Sequence, residues 1–182
     1  MRLGFIGAFY EGKGVHVLLD AVRRLGREAA VELKIYGSER EFPKYAARMR
    51  SLAGSDPRIR FCGTFPAGTI DRVLRDMDTL VVPSVWYENS PLVLHSAQAA
   101  GVPVIATNSP GMTEVIRDEC NGLLFEKGDA EHLALQIGRL IDDRDLLCRL
   151  SSSAIKPKTM AVYVNELEYH YGRIIAERRR RA

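Results

Sequence analysis

Residues 80–106 read Leu-Val-Val-Pro-Ser-Val-Trp-Tyr-Glu-Asn-Ser-Pro-Leu-Val-Leu-His-Ser-Ala-Gln-Ala-Ala-Gly-Val-Pro-Val-Ile-Ala. An apolar strand ends at Pro83-Ser84, a short polar loop carries one carboxylate, Glu88, and a helix opens at Pro91. Proline suits a first helical position, because its missing N–H would have no partner there and its φ is already set. Gly101 breaks the helix and a second apolar strand follows. Glu88 therefore falls at the carboxyl end of a buried strand, beside the free N–H groups of a helix N-terminus. Open α/β sheets bind phosphorylated ligands at such places.

Outward from this stretch, strand and helix alternate. Strand-like apolar runs occupy residues 3–9, 31–36, 58–62, 79–82, 102–107 and 122–125, and helix-like runs occupy 15–25, 42–53, 69–77, 91–100, 112–117 and 130–141. In the first helical run Val15, Leu18, Leu19, Val22 and Leu25 recur at the helical period. Short apolar strands, each followed by a helix, predict an α/β fold with a Rossmann-like parallel sheet of about six strands, flanked by helices on both faces. Pro157 sets off a long C-terminal helix over residues 159–179, where Met160, Val164, Leu167, Tyr171 and Ile174 form a stripe that wants burial. The expected organisation is a Rossmann-like domain over residues 1–155, then a terminal helix and basic tail over 156–182.

A chain of 182 residues with 46% hydrophobic content buries one substantial core. A net charge of +3 gives no general case for nucleic acid as a partner. No apolar stretch approaches the roughly 20 residues of a transmembrane helix, and no signal-peptide pattern opens the sequence. Cys62, Cys120 and Cys148 are an odd number without close pairs, which fits a reducing compartment and carries no zinc spacing. The expected location is the cytoplasm, with no metal and no cofactor.

A second informative segment runs from Gly4 through Gly7 to Gly12-Lys13-Gly14 and the helix that follows. Glycines let a backbone approach a phosphate, and Lys13 at the mouth of a helix supplies charge to the same point. The spacing is neither that of a Walker A loop nor that of a dinucleotide fingerprint. A Gly-Lys-Gly turn taken alone is an ordinary solvated loop; the Glu88 segment gives it weight.

Together these residues resemble the retaining glycosyltransferases of the GT-B fold, specifically family four. That family's pattern reads Glu, a small loop, Pro-Leu-Val, then Glu-Ala and Ala-Gly-Val-Pro-Val-Ile-Ala; Glu88, Pro91-Leu92-Val93 and the run from Ala99 to Ala106 match it. The resemblance implies that Glu88 and Lys13 are the catalytic residues, with Glu88 on a sugar hydroxyl and Lys13 on the donor diphosphate. It further implies a donor site formed by Gly7, Gly37, Gly63, Thr64, Phe65, Ser90, Pro91, Leu92 and Ser96. The segment ending at Gly37-Ser38 passes the nucleotide, and Gly63-Thr64-Phe65 covers the base. Two positions depart from the pattern: Ser96 replaces the glutamate expected eight residues after Glu88, which holds the ribose, and Ala8 replaces an arginine of the diphosphate clamp. Ser109-Pro110-Gly111 to Glu114, and Asn121 to Phe125, match the family's later strand-end turns.

The resemblance covers nearly the whole chain but only the carboxyl-terminal half of such an enzyme. The implied partners are a nucleotide sugar and an amino-terminal acceptor domain, which the terminal helix commonly crosses to meet. The chain is then either an excised domain or a short gene product.

Other polar residues take simpler readings. His95, His132 and His170 are ordinary helix residues, and His16 either approaches a phosphate or is buried between helix and sheet. Asp142, Asp143 and Asp145 form a solvated acidic cluster at a helix end. Trp86 and Tyr87 either wall a sugar pocket or pack on their loop. The basic run 178–181 is solvated, or makes a weak peripheral contact with anionic membrane.

Two functions of different class follow. The first is the donor-binding half of a glycosyltransferase, transferring a sugar with retention from a nucleotide-diphosphate sugar. The second is a catalytically silent nucleotide-sugar-binding or scaffolding module lacking its acceptor domain. A dehydrogenase reading lacks the glycine fingerprint it needs.

Overall fold

A computed structural model describes residues 1–89 and 91–181. Six strands, β1 (Arg2–Ile6), β2 (Glu32–Tyr36), β3 (Ile59–Gly63), β4 (Thr79–Val82), β5 (Val104–Thr107) and β6 (Gly122–Phe125), form one parallel sheet in the order β3-β2-β1-β4-β5-β6. The crossovers are α1 (Val15–Arg24), α2 (Pro43–Ala53), α3 (Ile70–Arg75), α4 (Leu92–Ala100) and α5 (Pro110–Thr113), and α6 (Ala130–Asp142), α7 (Arg144–Ser152) and α8 (Met160–Arg181) follow the last strand. This is the expected Rossmann-like architecture with its long terminal helix.

Strand side chains alternate between two cores. Leu3, Phe5, Leu33, Ile35, Val81, Ile105 and Leu123 face the layer that includes α1, α2, α6 and α7. Leu80, Val82, Val104 and Ala106 face Leu74, Leu94 and Met112 from α3, α4 and α5. Both faces are covered, so every residue of β4 and β5 is buried and those strands read as unbroken apolar runs.

The structure moves several expected boundaries. The first strand ends at Ile6, and Phe9 reaches the core from the loop beyond it. The fifth helix spans Pro110–Thr113 rather than 112–117, because Pro110 begins it with φ already set. Helix α7 was not expected. Asp143, read as part of a solvated cluster, is its N-cap, and Oδ1 accepts the Leu146 N–H at 2.8 Å. The expected apolar stripe of α8 is mostly solvent-exposed, with Met160, Tyr171 and Ile174 at 75%, 59% and 54% exposure.

The centre of the sheet is clamped at its amino end. Arg2 Nη2 donates to Asp78 Oδ1 at 2.8 Å and the Arg2 backbone N–H to Oδ2 at 2.7 Å, tying the start of β1 to the start of β4. Burial pushes the Asp78 carboxyl up, but the hydrogen bonds and charge of Arg2 outweigh it and hold the group below its ordinary value of 3.8. A depressed carboxyl stabilises fully above its unfolded pKa, and that stability is lost as pH falls through the lower folded value. Wild type is therefore expected to lose stability through this group as the pH falls below the ordinary carboxylate range. Asp78→Asn should be less stable at pH 7 and flatter in acid, as measured by denaturant unfolding across pH. Parallel pH profiles for the two proteins would remove the clamp from the account.

Candidate active site

Strand β1 connects onward to β2 on one side, and β4 connects to β5 on the other. Their carboxyl ends therefore flank the crevice where the strand order reverses. After β1 the chain makes a 3-10 turn over Glu11–Lys13, closed by Gly14. Gly14 has φ 70°, and a Cβ there would run into the carbonyl oxygen of Pro83 just past β4. From the β4 side, the N–H groups of Val85 and Trp86 donate to the Gly12 carbonyl at 2.9 and 3.2 Å. The two loops are thus joined backbone to backbone.

That seam brings together two side chains 75 residues apart: Lys13 Nζ donates to Glu88 Oε1 at 2.5 Å. Ser84 Oγ donates to the same oxygen at 2.9 Å. The side chains of Lys13 and Glu88 are 25% and 13% exposed, so the pair faces solvent on one side only. The Glu88 loop is set from behind by Gly111, where a Cβ would meet the Glu88 carbonyl oxygen. Ser84 and Gly111 add to the expected set. Ser84 was read only as the strand's end, although a hydroxyl directly beyond a wholly buried strand needs a partner.

A cavity of about 270 Å³ opens at the carboxyl ends of β1, β2 and β3. Gly7, Gly37, Thr64 and Phe65 line it, with Ala8 where the resemblance expects an arginine. The Gly7 N–H donates to the Tyr36 carbonyl at 3.0 Å and the Gly37 N–H to the Gly63 carbonyl at 2.8 Å, so Gly63 acts by holding the neighbouring strand end. Phe65 stands edge-on to Tyr36 at 5.7 Å between ring centres, giving the cavity an aromatic wall.

The remaining candidates lie along α4. Pro91, with ψ 117°, caps the helix instead of beginning it, and its carbonyl accepts the Leu94 N–H at 2.9 Å. The first helical residue is Leu92, whose side chain is 81% exposed. Ser96 Oγ donates to the Leu92 carbonyl at 3.1 Å, a bond within its own helix. Ser90 lies outside the described residues. Trp86 and Tyr87 are 64% and 74% exposed, and Lys127 Nζ sits 4.2 Å above the Tyr87 ring. His16 turns away, with Nδ1 2.9 Å from Tyr45 Oη; burial, then the charge of Arg48, lowers its pKa.

A larger groove of about 900 Å³ lies among Arg23, Arg27, Arg48 and Arg58, near the carboxyl ends of α1 and α2. It contains none of the candidate residues, and Arg58 is already engaged with Asp56 and the Val22 and Gly26 carbonyls. Among the described residues no group of three His, Cys, Asp or Glu side chains could hold a metal ion. No described helix is long and apolar enough to cross a membrane.

A doubly wound parallel sheet in this strand order defines the class of Rossmann-like α/β domains, here with a lysine–glutamate pair at the switch point. Within it, residues 1–143 match the profile described as glycosyl transferases group 1, and the chain belongs to that family. It is 29% identical over 168 residues to a D-inositol 3-phosphate glycosyltransferase of Corynebacterium urealyticum, covering 88% of this chain and 39% of the relative. It is 34% identical over 150 residues to the lipopolysaccharide core biosynthesis glycosyltransferase LpsE of Rhizobium meliloti, covering 80% and 41%. The chain thus spans about two fifths of the length of these relatives.

Solved structures share the fold. Sucrose-phosphate synthase of Thermosynechococcus elongatus superposes with TM-score 0.81 at 22% identity, over 97% of this chain and 46% of that one. HepE of Anabaena, in complex with UDP and glucose, superposes with TM-score 0.75 at 24% identity, over 84% and 42%.

Proposed function

We propose that this chain is the donor-binding half of a glycosyltransferase, transferring a sugar with retention from a nucleotide-diphosphate sugar to an acceptor held by a separate amino-terminal domain. The observation that carries the reading is the meeting of Lys13 and Glu88 across the switch point. A leaving diphosphate gains negative charge, which the Lys13 ammonium opposes, with the first amides of α4 as further donors. Glu88 accepts a charge-assisted hydrogen bond from a sugar hydroxyl and so orients the ring. The aromatic-walled cavity at Gly7, Gly37, Thr64 and Phe65 takes the base. No metal or cofactor has a part in this scheme, and nucleic acid is not a partner. The protein works in the cytoplasm, with the basic end of α8 supplying a weak peripheral contact to anionic lipid.

The silent-module reading draws on Ser96 and Ala8. A serine bonded to its own helix offers the ribose no carboxylate, and alanine offers a phosphate no charge. Calorimetric titration of the 182-residue chain with UDP-, GDP- and ADP-linked sugars tests the two together. Binding of one donor class supports the donor site that both readings share, and failure of all three removes it. Ser96→Glu is expected to tighten the preferred nucleotide roughly tenfold through one recovered charged hydrogen bond. No gain would mean that the ribose position has been rebuilt and would favour the silent module.

A further inference from the structure

In the ligand-free protein Lys13 and Glu88 neutralise one another. A diphosphate that enters the crevice must draw Lys13 from a carboxylate of its own sign. We propose that Glu88 makes the site discriminate between the intact nucleotide sugar and the product nucleoside diphosphate, by competing with the diphosphate for Lys13 unless a sugar hydroxyl occupies the carboxylate. This rests on the donor-site reading above and goes beyond it, because it gives Glu88 a second action, against the product.

The geometry supports this in three ways. Glu88 Oε1 receives Lys13 Nζ at 2.5 Å and Ser84 Oγ at 2.9 Å, so it is a committed acceptor. The carboxylate side chain is 13% exposed, which leaves little water to replace Lys13 once the ammonium turns away. Ser84 itself is 1% exposed and fixed at the end of β4, and it acts as a positioning residue that keeps Glu88 from swinging out to solvent.

An ammonium has three donors, so Lys13 can touch phosphate and carboxylate together, but two anions then share one cation. A hydroxyl donated by the sugar takes up the carboxylate's acceptor capacity and relieves the conflict. After transfer the sugar is gone, Glu88 has no hydroxyl, and its charge works against the remaining diphosphate. The candidate catalytic carboxylate thereby promotes product release.

The experiment is calorimetry on the 182-residue chain with three ligand pairs: UDP and UDP-glucose, GDP and GDP-mannose, ADP and ADP-glucose. The pair that wild type binds tightest is carried forward. Glu88→Gln, close to isosteric, is expected to bind the diphosphate about fivefold tighter while the nucleotide sugar gains nothing, shifting the ratio of the two affinities by about fivefold. In a Lys13→Gln background there is no ammonium left to compete for, and the gain on changing Glu88 should shrink to a repulsion that salt screens.

Should Glu88→Gln fold poorly, Glu88→Asp withdraws the charge by one methylene and should give a smaller gain of the same sign. Unchanged diphosphate affinity, or equal weakening of both ligands, would show Glu88 to be only a strut for Lys13 and would overturn the proposal while leaving the donor site standing. If wild type binds none of the six ligands, the donor-site reading fails and takes this inference with it.

Discussion

Lys13→Ala is expected to weaken nucleoside-diphosphate binding by about 100-fold, roughly 2.7 kcal/mol. The loss exceeds that of an ordinary surface lysine for a reason visible in the site. Removing the ammonium deletes a charged donor to the phosphates, worth about 1.5–3 kcal/mol, and also leaves Glu88 held by Ser84 with its negative charge unopposed. The variant site therefore repels the ligand that the wild-type site attracts. Part of the difference should fade as salt is raised, since screening shortens the reach of that repulsion. Titration at two ionic strengths reads both effects. Wild-type affinity in Lys13→Ala would place the diphosphate elsewhere in the molecule.

The second large effect belongs to the backbone. Gly14→Ala is expected to destabilise the fold by about 2–4 kcal/mol and to abolish measurable donor binding. Two costs combine there: alanine in the left-handed region at φ 70°, and a Cβ directed at the Pro83 carbonyl oxygen. Relief requires the two loops to part, which breaks the hydrogen bonds from Val85 and Trp86 to Gly12 and separates Lys13 from Glu88. Gly26 is the internal control, since its φ is 75° and a Cβ there meets nothing within 4 Å. Gly26→Ala should cost only about 1 kcal/mol and leave binding alone. Equal destabilisation by the two substitutions, with donor binding retained in Gly14→Ala, would dissolve the claim that the Pro83 contact organises the site.

Much of the sheet was legible because its strands are buried on both faces. Apolar runs at 79–82 and 122–125, broken by proline or glycine, leave few other readings, and the strands fall at those residues. Helix α7 escaped notice because three aspartates in four positions resemble solvated charge, whereas one of them is a cap whose value depends on where the next N–H groups point. The shift of α5 has a similar origin, in that Pro110 reads as a break until the turn around it is known.

For the candidate site, the individual residues were visible but their relations were not. Glycines and a lysine after one strand, and a glutamate after another, could be named from spacing and family likeness. That Lys13 and Glu88 touch depends on β1 and β4 lying side by side, which no local pattern encodes. Ser84 enters only through that contact.

The same adjacency bears on how the molecule is assembled in time. β1 pairs with β2 across a short stretch of chain, Leu3 with Leu33, but it meets β4 only through Leu3 and Thr79 and their neighbours, much farther along. Closing the longer loop carries the greater entropic cost, and distant parallel pairings form slowly. Two half-sheets, β3-β2-β1 and β4-β5-β6, therefore have the means to form early and join late. The crevice lies on their junction, with Lys13 supplied by one half and Glu88 by the other. It comes into existence only when the halves close, so the Lys13–Glu88 contact is expected to form after the half-sheets that carry it.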